Sequence, residues 1–150
     1  MATTEKYLLG TTTTVLSTEL NSLANNALVV TATPYNNTAA GGGGDGYTLA
    51  DIELVATFGT VPAANSALSI WFLTAIDGTN YEDGSASITP GRPPEVVLPV
   101  RAVTTAQRSN RRAWLPWGDF SILVKNDGTG QALAASGNTL KIRPVTYQGV

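Results

Sequence analysis

Six residues crowd one short stretch of this chain with side chains suited to binding: Arg101, Arg108, Arg111 and Arg112 lead into Trp114 and Trp117. Arginine offers a planar fork for bidentate bonding, and tryptophan offers a large contact area at modest entropic cost. Their favoured use is a protein–protein contact. Clustered arginine also suits nucleic-acid phosphate, but one short basic loop on an acidic chain argues against nucleic acid as the partner. The indoles could instead stack on sugars, or Trp114 and Trp117 could simply fill the core. Near the N-terminus, Tyr7, Leu8 and Leu9 form an apolar anchor on a segment too short to fold alone. The interface candidates are therefore Tyr7, Leu8, Arg108, Arg111, Arg112, Trp114 and Trp117.

The acidic cluster is Asp77, Glu82 and Asp83, with Asn80 beside them. Hard oxygen ligands on a turn suit Ca²⁺, although the spacing is not that of an EF-hand. Two carboxylates could also serve as acid and base in a glycosidase. The plainer reading is a solvated connection in which Asp77-Gly78 makes a turn. The chain has no His and no Cys. Ser-His-Asp and Cys-His nucleophile systems therefore cannot be assembled, and His-containing zinc and copper sites and disulfides are excluded. Gly41 to Gly46 fits G-x-G-x-x-G, but a phosphate loop of that type opens a helix. Here a β-alternating run follows. The chain is expected to be no enzyme and to hold no cofactor or metal.

The elements that must position these residues are strands. DFSILVK from Asp119 places Phe120, Ile122 and Val124 on one face, because successive strand side chains point to opposite sides. YTLADIELVATF from Tyr47 does the same with Ile52, Leu54, Ala56 and Phe58, leaving Asp51, Glu53 and Thr57 opposite. NTLKIR puts Leu140 and Ile142 inward, with Lys141 and Arg143 outward. Leu68, Ile70, Phe72 and Ile76 continue the core pattern, while Trp71 and Leu73 alternate with them, so that strand is covered on both sides. Val96, Leu98, Val100 and Ala102 give another run, in which Pro99 points to an edge or a bulge.

Between these runs, Asn126-Asp127-Gly128 reads as a hairpin turn, since these residues tolerate positive φ. Thr104 to Trp117 reads as a long polar loop. Residues 1–16 read as an N-terminal arm or first strand. Ser17 or Thr18 caps a short helix through Asn25, with Leu16, Leu20 and Leu23 along one side. Tyr35 to Gly46 reads as a flexible loop. The fold expected is all-β, a single jelly-roll-like antiparallel sandwich over residues 1–150, with seven or eight strands.

At 150 residues one well-buried core is expected. Hydrophobic content is 43% and charged content only 13%, about half the usual charged share. Small polar side chains fill the gap, which suits a surface that packs on other protein as well as a merely neutral soluble domain. Met1 to Gly10 lacks the apolar core of a secretory signal, and no run reaches the roughly 18 apolar residues that span a bilayer. A soluble protein assembled inside the cell, with no membrane partner, is expected. The net charge of −2 divides unevenly: residues 1–84 carry one basic and eight acidic residues, whereas residues 85–150 carry eight basic and three acidic. Such a separation could orient the chain on a charged partner or on copies of itself.

The wording of several blocks resembles a family of small jelly-roll structural proteins in tailed-bacteriophage virions. These blocks are Trp71-Phe72-Leu73 running into Asp77 to Gly84, the Pro90 to Pro94 approach to VVLPVRAV, GTGQALAASGNTLKIRP from Gly128 to Pro144, and STELNSLANNAL from Ser17 to Leu28. The resemblance covers most of the chain, though none of the blocks is a specific functional signature. It implies a capsid decoration, cement or minor head protein. Such a protein would sit on the capsid surface of the virion after assembly in the host cytoplasm, with the major capsid protein as partner and a homotrimer as its working form. Two other readings remain: a tail or head-fibre component that binds a receptor or glycan, and a glycan-active enzyme.

Overall fold

The computed structural model describes residues 5–37 and 46–149. Ten strands run in order: β1 (Glu5–Leu9), β2 (Thr13–Leu16), β3 (Leu28–Val30), β4 (Tyr35–Asn36), β5 (Leu49–Ala56), β6 (Ala67–Thr74), β7 (Val96–Pro99), β8 (Gln107–Trp114), β9 (Asp119–Asp127) and β10 (Thr139–Gly149). They form two antiparallel five-stranded sheets. One has the order β1-β10-β5-β8, with β2 also on β10; the other has β3-β9-β6-β7, with β4 also on β9. We call them the first and second sheet.

The pairing is nested. β1 and β2 pair with β10, β3 and β4 with β9, β5 with β8, and β6 with β7. Counting β1/β2 and β3/β4 as two interrupted strands leaves eight positions, and this nesting is the jelly-roll arrangement of an all-β sandwich.

Both sheets turn one face onto a shared core. In β5 burial alternates without a break from Leu49 to Ala56, as strand geometry requires of a half-buried sheet. Phe58, Phe72, Leu98, Phe120, Ile122 and Leu140 are all essentially inaccessible. Phe72 and Phe120 meet with ring centroids 5.0 Å apart. The second sheet is covered on its outer face as well. Trp71, Leu73 and Leu123 form a separate buried cluster there, roofed in part by Tyr81 from the β6–β7 connection. Arg92 holds that roof: its guanidinium pairs with Glu82 and Glu95 and donates to the Phe72 carbonyl, while its own carbonyl accepts the Trp71 indole N–H at 2.9 Å. A Cβ on Gly84 would stand 2.8 Å from a terminal methyl of Leu73, so any larger residue here would have to push that buried side chain aside.

Five expectations are corrected. Thr104 to Trp117 is not a loop: Gln107–Trp114 is the edge strand β8, paired along its whole length with β5. Asn126-Asp127-Gly128 is no hairpin, because β9 and β10 belong to different sheets. The chain crosses the sandwich there, helped by left-handed Gly128 and Gly130, and Asn126 is fully buried. The helix from Ser17 or Thr18 to Asn25 shrinks to a 3-10 turn, Thr18–Leu20, and the Ser17 side chain makes no cap. Left-handed Ser22 and Asn26 stop any continuation, although Leu16, Leu20 and Leu23 are buried as their spacing suggests. Ile76 lies two residues past the end of β6 and is fully exposed. β7 ends at Pro99, leaving Ala102 exposed, and Pro99 does mark an edge strand. Met1 to Thr4 and the glycine-rich segment 38–45, which includes most of the G-x-G-x-x-G match, lie outside the described residues.

Candidate functional site: the aromatic end and the arginine face

Antiparallel register places directly opposite residues on the same face. Across the first sheet this gives three rows on the side away from the core. Leu9, Val145, Leu49 and Trp114 make one; Arg143, Asp51 and Arg112 make the next; Lys141, Glu53 and Asn110 make the third. The arm therefore becomes an edge strand of the sheet that also carries the arginines.

At the apolar row the Tyr7 and Tyr147 rings pack with centroids 4.4 Å apart, and their hydroxyls are hydrogen bonded at 2.8 Å. The Arg112 guanidinium lies 6.0 Å from the centre of the Tyr7 ring, within cation–π range. Val145, on the same face, is fully buried although it faces away from the core.

The connections at this end bring further apolar side chains to it. Thr74, the last residue of β6, pairs with Phe120, and Phe120 closely follows the Leu115–Gly118 turn that leaves Trp114. Ile76, Trp114, Trp117, Tyr7, Leu8, Leu9 and Tyr147 therefore share one end of the sandwich, and all are exposed, Trp114 to 74% and Trp117 to 71%. The remaining exposed large hydrophobic residues among those described, Val61, Ile88 and Val97, lie on separate segments. Beneath the indoles, buried Asn37 ties three segments together. Its amide donates to the carbonyls of Tyr47 (2.9 Å) and Pro116 (2.7 Å), and its Oδ1 accepts the Tyr47 N–H.

The rows next to this end hold the charges. Asp51 accepts two bonds from Arg112, at 2.8 and 3.2 Å, and one from Arg143 at 2.7 Å. Arg108 pairs with Glu53 at 2.6 Å. The Arg112 hydrogen bonds, followed by those of Arg143, hold the Asp51 carboxyl below its usual range, and Asp51 in turn raises Arg112. A groove of about 340 Å³ runs between the rows, with Arg111 and Lys141 on its walls; neither makes an ion pair among the described residues. Arg111 stands opposite Ile52, on the register that faces the core, yet is exposed. An inward-register charge on an edge strand discourages further strand pairing.

Of the interface candidates, Tyr7, Leu8, Trp114 and Trp117 come together at the end, and Arg112 reaches it from the adjoining row. Both tryptophans are surface residues, not core. Arg108 lies six residues back along β8, about 20 Å at strand spacing, and belongs to the charged face. Tyr147, Ile76, Asp51 and Arg143 join the site without having been singled out. Continuing the outward alternation of Lys141 and Arg143 through Val145 would have reached Tyr147, but the partners of Asp51 require knowledge of register.

The acidic turn serves itself. Asp77 Oδ1 accepts the Thr79 and Asn80 amides at 2.9 and 2.7 Å, and its Oδ2 accepts the Asn80 side-chain amide at 2.6 Å. Glu82 is engaged by Arg92. Among the described residues no group of acidic side chains is arranged to hold a metal ion. The Asn80 backbone amide, then its side chain, then the Thr79 amide lower the Asp77 pKa to about 2. A depressed carboxylate contributes order above its unfolded pKa, roughly 3.9, and loses it as pH falls through the folded value. Amide shifts of Thr79 and Asn80 followed by NMR should therefore titrate together near pH 2. A midpoint near 4 would show that the turn does not use the carboxylate.

No protein-family model matches the chain, and no curated protein matches it by sequence.

Proposed function

We propose that this chain is a non-enzymatic structural protein of a tailed-phage virion, a decoration or cement protein that seats the aromatic end of its sandwich on the outside of the head. Its partner is the major capsid protein. A protein bound only to the assembled lattice shifts the equilibrium toward assembly by mass action. The observation that carries the docking is the concentration of exposed rings and aliphatic side chains at one end of the sandwich. Each ring offers roughly 100–200 Å², so four rings with Leu8, Leu9 and Ile76 approach the ~800 Å² per partner of a standard interface. The likeness of the Trp71–Gly84 and Gly128–Pro144 blocks to phage head proteins supports the choice of partner.

Purified protein mixed with undecorated heads of its own phage should co-sediment saturably and raise the temperature at which the shells break. Particle imaging should then place the aromatic end against the shell. Binding to host cells or glycans with no affinity for heads would overturn the reading in favour of a fibre component. Turnover of a glycan, lost on changing Asp77 or Glu82, would overturn it in favour of an enzyme.

A further inference from the structure

The outer side of the first sheet is ruled at a regular interval. Its three rows lie two residues apart along the strands, about 6.8 Å at strand spacing. One row is apolar and the next two are charged. In the apolar row Trp114 is exposed and its neighbour Leu49 half-buried. In the second row Arg112 and Arg143 share the single carboxylate of Asp51, which leaves one positive charge uncompensated. In the third, Glu53 is already taken by Arg108, and Lys141 has no ion pair among the described residues. Arg111 stands on β8 between these two rows, opposite Ile52, and likewise has no ion pair among the described residues. The groove of about 340 Å³ covers both charged rows, with Arg111 on the β8 side of β5 and Lys141 on the β10 side. Asn110 and Thr12, which also line it, can accept hydrogen bonds as well as donate them.

We infer that this face binds an extended acidic segment of another protein, with an apolar residue and two acidic residues at alternate positions. A chain lying along the strands over β5 turns alternate side chains toward the sheet with the period of the rows. Its apolar residue then meets Leu49 and Trp114. Its first carboxylate falls between Arg112 and Arg143, and its second between Lys141 and Arg111. Charge complementarity selects this occupant, because one acid per charged row balances the surplus there. Asp51 already orders Arg112 and Arg143, so the first carboxylate meets donors whose freedom is restricted beforehand. β5 is itself an instance of the pattern: its Leu49, Asp51 and Glu53 occupy the three rows, and the flanking cations exceed what they neutralise. Nucleic acid fits the face less well. A peptide backbone brings an N–H at each residue for Asn110 and Thr12 to accept, whereas phosphates bring acceptors only. The segment lies over the face rather than adding to the sheet edge, because the inward-register charge of Arg111 discourages pairing along β8. The inference does not depend on which protein carries the segment.

The test uses the isolated protein and synthetic peptides in a Gly/Ser frame, read by fluorescence anisotropy in low and in 0.5 M salt. Peptides carrying Leu-Ser-Glu-Ser-Glu, made in both chain directions, are compared with one of the same composition whose two Glu are adjacent. One direction of the spaced peptide should bind at least about fivefold tighter than the adjacent form, the scale of one exposed ion pair. Binding should weaken as salt rises, because exposed charge pairs are screened. Arg111→Ala should weaken it about fivefold. Lys141→Glu should weaken it roughly tenfold or more, since facing like charges repel. Changing the peptide Glu farther from Leu to Lys should restore binding to that variant, a readout that also shows it remains folded. No binding at low salt, equal binding of the spaced and adjacent forms, or an Arg111→Ala protein that binds as the parent does would each overturn the inference. So would a Lys141→Glu protein that melts as the parent does and is not rescued. A single-stranded oligonucleotide that binds tighter than the peptide would overturn it in favour of nucleic acid. Self-association of the parent that the peptide reverses would overturn it in favour of a second copy. Heads that bind while the peptides do not would remove this inference alone and leave the docking of the aromatic end standing.

Discussion

Replacing Trp114 and Trp117 together by Ala is expected to weaken attachment to head shells roughly 100-fold, with little change in melting temperature. Both indoles are largely exposed, so the fold gains little from them. Truncation removes the largest contact area on the aromatic end. The turn between them stays in place because Asn37 holds the Pro116 carbonyl and Leu115 donates to Thr48. The measurement is a binding isotherm on undecorated heads beside a thermal melt of the free protein. Unchanged affinity would remove this end from the interface. A large drop in melting temperature would show that the indoles serve the core after all.

The largest effect on stability is expected at Asn126. This residue is fully buried in the crossing from one sheet to the other. Its amide donates to the carbonyls of Leu23 (2.9 Å) and Gln131 (2.8 Å), and its Oδ1 accepts the Thr129 hydroxyl at 2.6 Å. Asn126→Ala leaves the Leu23 carbonyl and Thr129 without these partners away from water, which should cost about 3 kcal/mol. For a domain of this size that lowers the melting temperature by roughly 10 °C. Asn126→Asp should cost a comparable amount, because a carboxylate cannot donate to those carbonyls. Denaturant unfolding of both variants measures it, and a loss below 1 kcal/mol would mean that water replaces the amide.

The core was legible because burial follows from alternation alone. β5 and the first half of β10 alternate through strands flanked by neighbours on both sides, so their inward residues could be named without knowing the topology. β8 was not legible. An edge strand needs few apolar contacts: in QRSNRRAW only Gln107 and Ala113 are buried, and Arg111 occupies a core register. Its arginines looked like loop residues for that reason. Ile76 was misplaced because a period of two was carried past Thr74, where the strand stops. Asn126-Asp127-Gly128 has the chemistry of a tight turn, yet local sequence does not say whether the next strand returns to the same sheet or crosses to the other. The arginine face was hidden most deeply. In sequence the chain looks acidic first and basic later, but β5 lies between β8 and β10, so acidic Asp51 and Glu53 are delivered into the middle of the basic face.

The nested pairing has a consequence for how this protein comes into being. Lys6 pairs with Gln148 and Leu16 with Leu140, so the earliest strands to leave the ribosome find their partner only when the last one arrives. β5 likewise waits for β8 and β10, while β6 finds β7 sooner. Long loops must close before most contacts repay them, which places such a topology among the slow folders, in milliseconds to seconds. During synthesis Tyr7, Leu8 and Leu9 stay unpaired until β10 has emerged. A chaperone that shields the nascent N-terminal segment would act on this interval, and the aromatic end cannot exist before it closes.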